Sequence, residues 1–282
     1  MTKSIMRRLT AAAVLAALSG GLLTGAATAS PAPSGAAGSS SSTVNMEALI
    51  KAAMWDPYKS GQGITDGSGP SVRKVEAALA AKGLLARKYV DGHFGTSTVR
   101  AYAAYQRSLG HSGLAASGLP GKGSLATLGK GRYSLVRIID VGGRTAMDGK
   151  PVNRRTAQMI RAAQRRAGVD FTVTQGSYGG VDASGGTHDG GGAVDLSVRG
   201  LPNINAAVRA LRQVGFAAWH RKPNQGPWAA HIHAVAISDT DMSPQAQRQV
   251  GAYFNGRNGL ADNGKDDGPK VKKVTWEEYR RR

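Results

Sequence analysis

The stretch from Ser184 to Ser197 limits this chain more than any other. His188 and Asp195 stand either side of Gly190, Gly191 and Gly192, and Asp195 opens a short apolar run. Three consecutive glycines weaken a helix or a strand, so they mark a bend. The bend lets His188 fold back beside Asp195, at the start of a strand over 193–198. Further on, His231-Ile-His233-Ala-Val-Ala-Ile237 reads as another strand. Side chains on a strand alternate, so His231 and His233 share a face with their Cα atoms about 7 Å apart, close enough to serve one site. Three of the six histidines thus join an aspartate, and the chain has no cysteine. Imidazole and carboxylate without thiolate suit a catalytic zinc, Zn2+, which takes three protein ligands and keeps a position for water. The proposed ligands are His188, Asp195 and His233, with His231 left as a neighbouring or catalytic group.

The N-terminus reads as a targeting segment. Lys3, Arg7 and Arg8 precede an apolar run from Ala11 to Leu23, and Ala27-Thr28-Ala29 offers small residues for cleavage. That pattern is a secretory signal over 1–29, too short for a comfortable membrane span. The mature chain is then expected outside the membrane, with no stable insertion after cleavage. The formal net charge is +19, and removing 1–29 leaves +16. Such a charge draws polyanions. On a secreted chain these are anionic wall polymers and peptide carboxylates, not nucleic acid. Absence of cysteine also excludes disulfides and a cysteine nucleophile.

Composition divides the remainder. Residues 30–70 read as a Ser/Ala/Gly/Pro-rich flexible leader, with a short helix over 45–55 capped by Asn45. A helix over 70–83 follows, its apolar stripe made by Val72, Val75, Ala78 and Leu79. The turn Asp91-Gly92-His93-Phe94-Gly95 leads into a helix whose buried side is Val99, Tyr102, Ala103 and Leu109, with Tyr105 near its edge. Gly92, Gly95 and Thr98 recur as Gly118, Gly121 and Ser124, again ahead of a helix carrying Leu125 and Leu128. His93 and His111 read as surface residues. Beyond a hinge at 129–132 come a candidate strand over 135–141, a helix over 152–167 capped by Asn153 with Arg155 on its outer face, and a β-like run over 171–174. A loop from Gln175 to Gly180, a helix over 202–215 opened by proline, a strand over 216–219 and a helix over 243–254 capped by Ser243 complete the order. The polar, charged tail, 256–282, is expected to be largely mobile, with Val274 to Trp276 able to pack.

Two stretches carry family resemblances. Residues 71–130, with Asp91-Gly-x-Phe94-Gly-x-x-Thr98 and the pair Tyr105-Gln106, resemble the three-helix bacterial peptidoglycan-binding domain, which implies wall contacts at Asp91, Phe94, Tyr105 and Gln106. Ser184-Gly-Gly-Thr-His188 with Asp195 and His231-x-His233 resembles the zinc D-Ala-D-Ala carboxypeptidase and endopeptidase group of wall-lytic enzymes, which shares its core with Hedgehog-type domains. That resemblance implies an α+β fold. A small helical domain is followed, over 131–255, by an antiparallel sheet with flanking helices holding zinc at His188, Asp195 and His233. Many members place Glu three residues before the last ligand. Ala230 stands there, so His231 takes the role of catalytic base. Tyr178 stands where carboxypeptidase members often carry a carboxylate-gripping Arg, which favours an endopeptidase over a D,D-carboxypeptidase. Gln175, Tyr178, Trp219 and His220 are the substrate-binding candidates, with Trp219 and Trp228 as cleft walls. The expected protein is a secreted, wall-associated monomeric peptidase whose partner is peptidoglycan. The alternatives are a non-catalytic zinc-containing wall-binding protein and a polyanion-binding protein.

Overall fold

Local capping chemistry sets most helix starts. In the computed structural model, which describes residues 42–179 and 181–282, Asn45 accepts from the backbone N–H of Ala48 at 3.2 Å and opens helix α1 (Met46–Trp55). Asn153 caps α5 (Arg154–Ala167) through the N–H of Thr156, and Ser243 caps α7 (Pro244–Phe254) through that of Ala246. Each such bond satisfies an orphan N–H of the first turn. Between them lie α2 (Gly69–Ala81), α3 (Thr96–Ser108), α4 (Lys122–Gly129) and α6 (Ile204–Gln213). The last is capped by Asn203 and not by proline, because the Asn203 side chain reaches the N–H of Ala206. The expected signal segment, 1–29, and the expected leader over 30–41 lie outside the described residues. No helix among the described residues is long and apolar enough to cross a membrane.

The fold mixes helix and sheet. Strands β1 (Thr43–Asn45) and β2 (Ser134–Val136) pair in parallel, and β3 (Arg144–Met147) and β4 (Lys150–Asn153) form an antiparallel hairpin. The main sheet holds β5 (Val173–Gln175), β6 (Ala193–Ser197), β7 (Phe216–Arg221) and β8 (His231–Ala236) in the order β5-β6-β8-β7, with every neighbouring pair antiparallel. Its two faces carry different cores. Val194, Leu196, Ile232 and Ala234 pack under α5 and α6. Ala193, Ala217 and Val235 on the other face join Leu49 and Ile50 of α1, Val75 of α2, Tyr102 of α3 and Val250 of α7 in one continuous cluster. The helical stretch and one end of the sheet therefore bury each other, and Ser41–Arg282 is a single compact unit.

Several expectations are corrected by long-range partners. The leader ends earlier than 70, since Val44 and most of α1 are buried in that core. In α3 the buried positions are Ala101, Tyr102 and Tyr105, while Leu109 is exposed. Phe94, Tyr105 and Gln106, the expected wall-contact residues, are buried, at 0%, 1% and 5% exposure. The Gln106 amide instead donates to Leu119 O and accepts from Gly118 N–H, closing the second turn. Asp91 stays exposed, and its carboxylate accepts from the N–H of His93. His93 is buried, its Nδ1 3.2 Å from Gly63 O. Strand β2 stops at Val136, and Ile138 is exposed. Arg155 is buried because Glu277 meets its guanidinium at 2.8 Å and Ile237 O accepts from it at 2.9 Å. The tail is docked: Asp266 forms a buried pair with Arg212 at 2.7 Å, and Trp276 opens a short helix, α8 (Trp276–Arg280), against α5 and the sheet.

Candidate metal centre

The glycine run delivers His188. A side chain at Gly190 would collide with the backbone of Asp241 to Ser243, and Gly192 takes φ +82° with the Asp239 side chain against its Cα. Only glycine meets both conditions cheaply. The loop before it runs alongside, with Tyr178 N–H donating to Gly190 O and Gly179 N–H donating to His188 O, each at 3.0 Å. His188 is thereby buried beside β6, and its Nδ1 lies 2.8 Å from Gly176 O.

Sheet register supplies the rest. Asp195 lies opposite His233, Gln175 opposite Asp195, and Trp219 opposite His233. Opposed residues share a face, so Gln175, Asp195, Trp219 and His233 project to one side at the end of the sheet not covered by α1. His231 and Arg221 are opposed one step on. Asp195 Oδ1 is the point of convergence: it lies 3.4 Å from His188 Nε2, 2.7 Å from His233 Nδ1 and 3.7 Å from His231 Nε2. His188, Asp195 and His233 each offer one ligand atom, all within 4.8 Å of one another, and could hold a metal ion.

The outer hydrogen bonds decide which nitrogens are free. Gly176 O can only accept, so His188 Nδ1 carries a hydrogen and Nε2 presents its lone pair. His233 Nε2 is 2.7 Å from Gln249 Oε1 on α7, an acceptor for the ring hydrogen whenever Nδ1 gives its lone pair to a metal; with no metal, Nδ1–H can donate to Asp195 Oδ1 at 2.7 Å. Such outer partners orient ligating imidazoles in metal sites. Trp219 lies nearly parallel to the His233 ring, at 14°, and holds it from the core side. Protonation agrees with ligation, which needs neutral imidazole and ionised carboxylate. Burial alone would raise the pKa of Asp195, but the adjoining His188 and His233 outweigh it and hold the carboxyl well below its usual range. Burial pushes His233 down, against the pull of Asp195, and keeps it neutral. Ligands on a tetrahedral zinc stand about 3.3 Å apart, given bonds of about 2.0 Å. The His188–Asp195 separation of 3.4 Å already fits, and the His233–Asp195 contact of 2.7 Å must open by about 0.6 Å.

A cleft of about 1400 Å³ runs over this cluster, lined by Gln175, His188, Asp195, His231, His233 and Arg221 among others. Asp195 is its one carboxylate among the described residues. Trp228 stands edge-on to His231 as part of the wall. Among the substrate candidates, Gln175 lines the cleft, from a strand and not from a loop, with its Nε2 buried and unpartnered. The other three do not. Tyr178 sits at φ +65°, donates to Asp241 at 3.0 Å and packs under Arg144. Trp219 is buried beneath His233, and His220 pairs with Ile232 on the opposite face of the sheet. Gln249 and Arg221 were not found from sequence. Arg221 is buried at the cleft floor, donates to Asn258 O at 2.6 Å and leaves Nη2 unpartnered, and burial pushes its pKa down to about 10. A sequence signal for Arg221 existed in the strand period, two positions after Trp219 on β7. Gln249 had none, since it comes from a helix distant in the chain. Comparison with known proteins returns no matching family model, no matching curated protein and no matching solved structure.

Proposed function

We propose that this chain is a secreted zinc-dependent peptidase that hydrolyses peptide bonds of peptidoglycan, with endopeptidase cleavage favoured over D,D-carboxypeptidase cleavage. The observation that carries the reading is the convergence of three ligand atoms. His188 Nε2, Asp195 Oδ1 and His233 Nδ1 lie within 4.8 Å of one another, and the other nitrogen of each imidazole faces an outer oxygen, of Gly176 or Gln249. Zinc in that cage supplies a Lewis acid that polarises a carbonyl and lowers the pKa of a bound water to about 7.

The chain's own residues supply the rest. His231 Nδ1 faces Ala229 O at 2.8 Å, which leaves Nε2 as the proton acceptor. From 3.7 Å off Asp195 Oδ1 it takes the proton of the attacking water and passes it to the leaving amine. No Glu lines the cleft, so His231 is the base available there. Arg221 places positive charge where negative charge develops on the scissile oxygen. The cleft extends from Thr172 and Arg199 to the segment ending at Asn263, which gives room for peptide on both sides of the cut and supports the endopeptidase reading. Attachment to the wall is assigned to the helices of 71–130, through surface that includes Asp91.

The test is digestion of purified peptidoglycan by zinc-loaded wild type, His188→Ala and His231→Ala, with released muropeptides identified by mass. Wild type is expected to release cross-link or stem fragments. His188→Ala is expected to lose both zinc and activity, and His231→Ala to keep zinc and lose activity. Absence of zinc from wild type contradicts the site. Zinc without cleavage of any wall type favours the non-catalytic wall-binding protein.

A further inference from the structure

Across the sheet from the cleft, α5, α6, the segment 270–272 and α8 enclose a second recess of about 690 Å³. Arg166, Arg209, Lys270, Lys272, Arg280 and Arg282 line it, and no carboxylate side chain does. Among the described residues none of these six forms a salt bridge. Some basic residues elsewhere find acids, as Arg155 does with Glu277, Arg212 with Asp266 and Arg281 with Glu47. Six like charges around one concavity repel, and an anion bound among them relieves that repulsion.

The cations are also held in place by groups that do not neutralise them. Arg166 Nε donates to Gln213 Oε1 at 3.1 Å, and Arg209 Nη1 donates to Lys270 O at 3.3 Å. Both partners are neutral, so each guanidinium keeps its full charge and several free donors. Planar donor forks of this kind match phosphate oxygens.

We infer that this recess is a binding site for a phosphodiester polymer without bases, an alternating polyol–phosphate chain, on the face opposite the cleft. The recess exceeds the size of a single phosphate, and the number of its cations suits several phosphates in succession. Nucleic acid is disfavoured by its one aromatic residue. Tyr279 is stacked on Trp276 at 23° and carries the Arg166 guanidinium over its ring, so no unengaged aromatic face meets a base. Single-stranded nucleic-acid sites rely on such faces. The inference does not depend on the zinc chemistry, since the two sites share no lining residue.

The test uses the full chain and fluorescein-labelled synthetic poly(glycerol phosphate), with binding followed by anisotropy between low and moderate salt. A variant carrying Arg166→Gln, Arg209→Gln, Lys270→Gln and Lys272→Gln changes only exposed side chains. A control of equal charge change carries Arg132→Gln, Arg137→Gln, Lys150→Gln and Lys265→Gln, all exposed and outside both the recess and the helices of 71–130. Circular dichroism checks that both remain folded. Each neutralised phosphate contributes about 0.7 to the slope of log affinity on log salt, so the recess variant is expected to lose roughly tenfold or more in affinity and about 2 to 3 in slope. The control is expected to stay near wild type. Equal losses in both variants would show diffuse charge attraction and overturn the site. Tighter binding of labelled oligo(dT) of the same length, or no binding of the polymer at all, would overturn the ligand class.

Discussion

Gln249 gives the sharpest handle on the metal centre, because it touches His233 from outside the cage. Replacing it with Leu keeps most of its volume and removes the acceptor 2.7 Å from His233 Nε2. His233 is 5% exposed, so its N–H finds no easy replacement in water. An unsatisfied buried donor costs about 1–3 kcal/mol. The imidazole escapes that cost by moving its hydrogen to Nδ1, where Asp195 Oδ1 waits at 2.7 Å. That tautomer keeps its lone pair on Nε2, turned away from the cage. Zinc binding must then reverse the shift, and affinity is expected to fall by about 10- to 100-fold, as for other outer partners of metal-bound histidine. This corresponds to about 1.4–2.7 kcal/mol. Competition with a chromophoric chelator at fixed pH reads the affinity directly, while Gln249→Glu, which retains an acceptor, is expected to bind zinc at least as tightly as wild type. Zinc affinity of Gln249→Leu within twofold of wild type would refute ligation through His233 Nδ1.

Three further outcomes follow from packing and burial. Gly190→Ala places a methyl against the backbone of Asp241 to Ser243, and is expected to lower stability by about 1–3 kcal/mol in urea unfolding and to weaken zinc binding with it. Asp266→Ala leaves the Arg212 guanidinium buried and unpaired, at an expected cost of about 3–5 kcal/mol by thermal or chemical unfolding. Glu76 is fully buried, and burial raises its pKa to about 7 despite hydrogen bonds from Gly92 N–H and Thr98 Oγ1. A raised carboxyl favours the protonated folded state, so its contribution is complete below the unfolded value of 4.5 and is lost as pH climbs through about 7. Stability is expected to fall by roughly 3 kcal/mol across that window, and Glu76→Gln, which still accepts from Gly92 and can donate to Thr98, is expected to flatten the dependence.

What could be read ahead of the structure was what short-range chemistry controls. Asn45, Asn153 and Ser243 cap their helices because each bond spans only three residues. His231 and His233 share a face because strands alternate, and the bend at 190–192 brings His188 to Asp195 because larger side chains do not fit there. The misses all depend on partners far along the chain. Arg155 reads as surface on a helix wheel, and only Glu277 and Ile237 bury it. The tail reads as solvated until Arg212 draws in Asp266. Phe94 and Gln106 look like a binding signature, yet the same aromatic and amide are what close the turns of a buried helical core. Gln249 joins the centre through a tertiary contact that no spacing rule marks, whereas Arg221 follows the strand period from Trp219.

The central claim is that three named atoms hold one zinc. Crystals of the zinc-loaded chain, measured on both sides of the zinc absorption edge, test it directly. The account predicts a single anomalous peak within about 2.3 Å of His188 Nε2, Asp195 Oδ1 and His233 Nδ1, with His231 outside bonding distance. A peak elsewhere, a cage that uses His231 in place of His233, or no peak in crystals grown with excess zinc would contradict it.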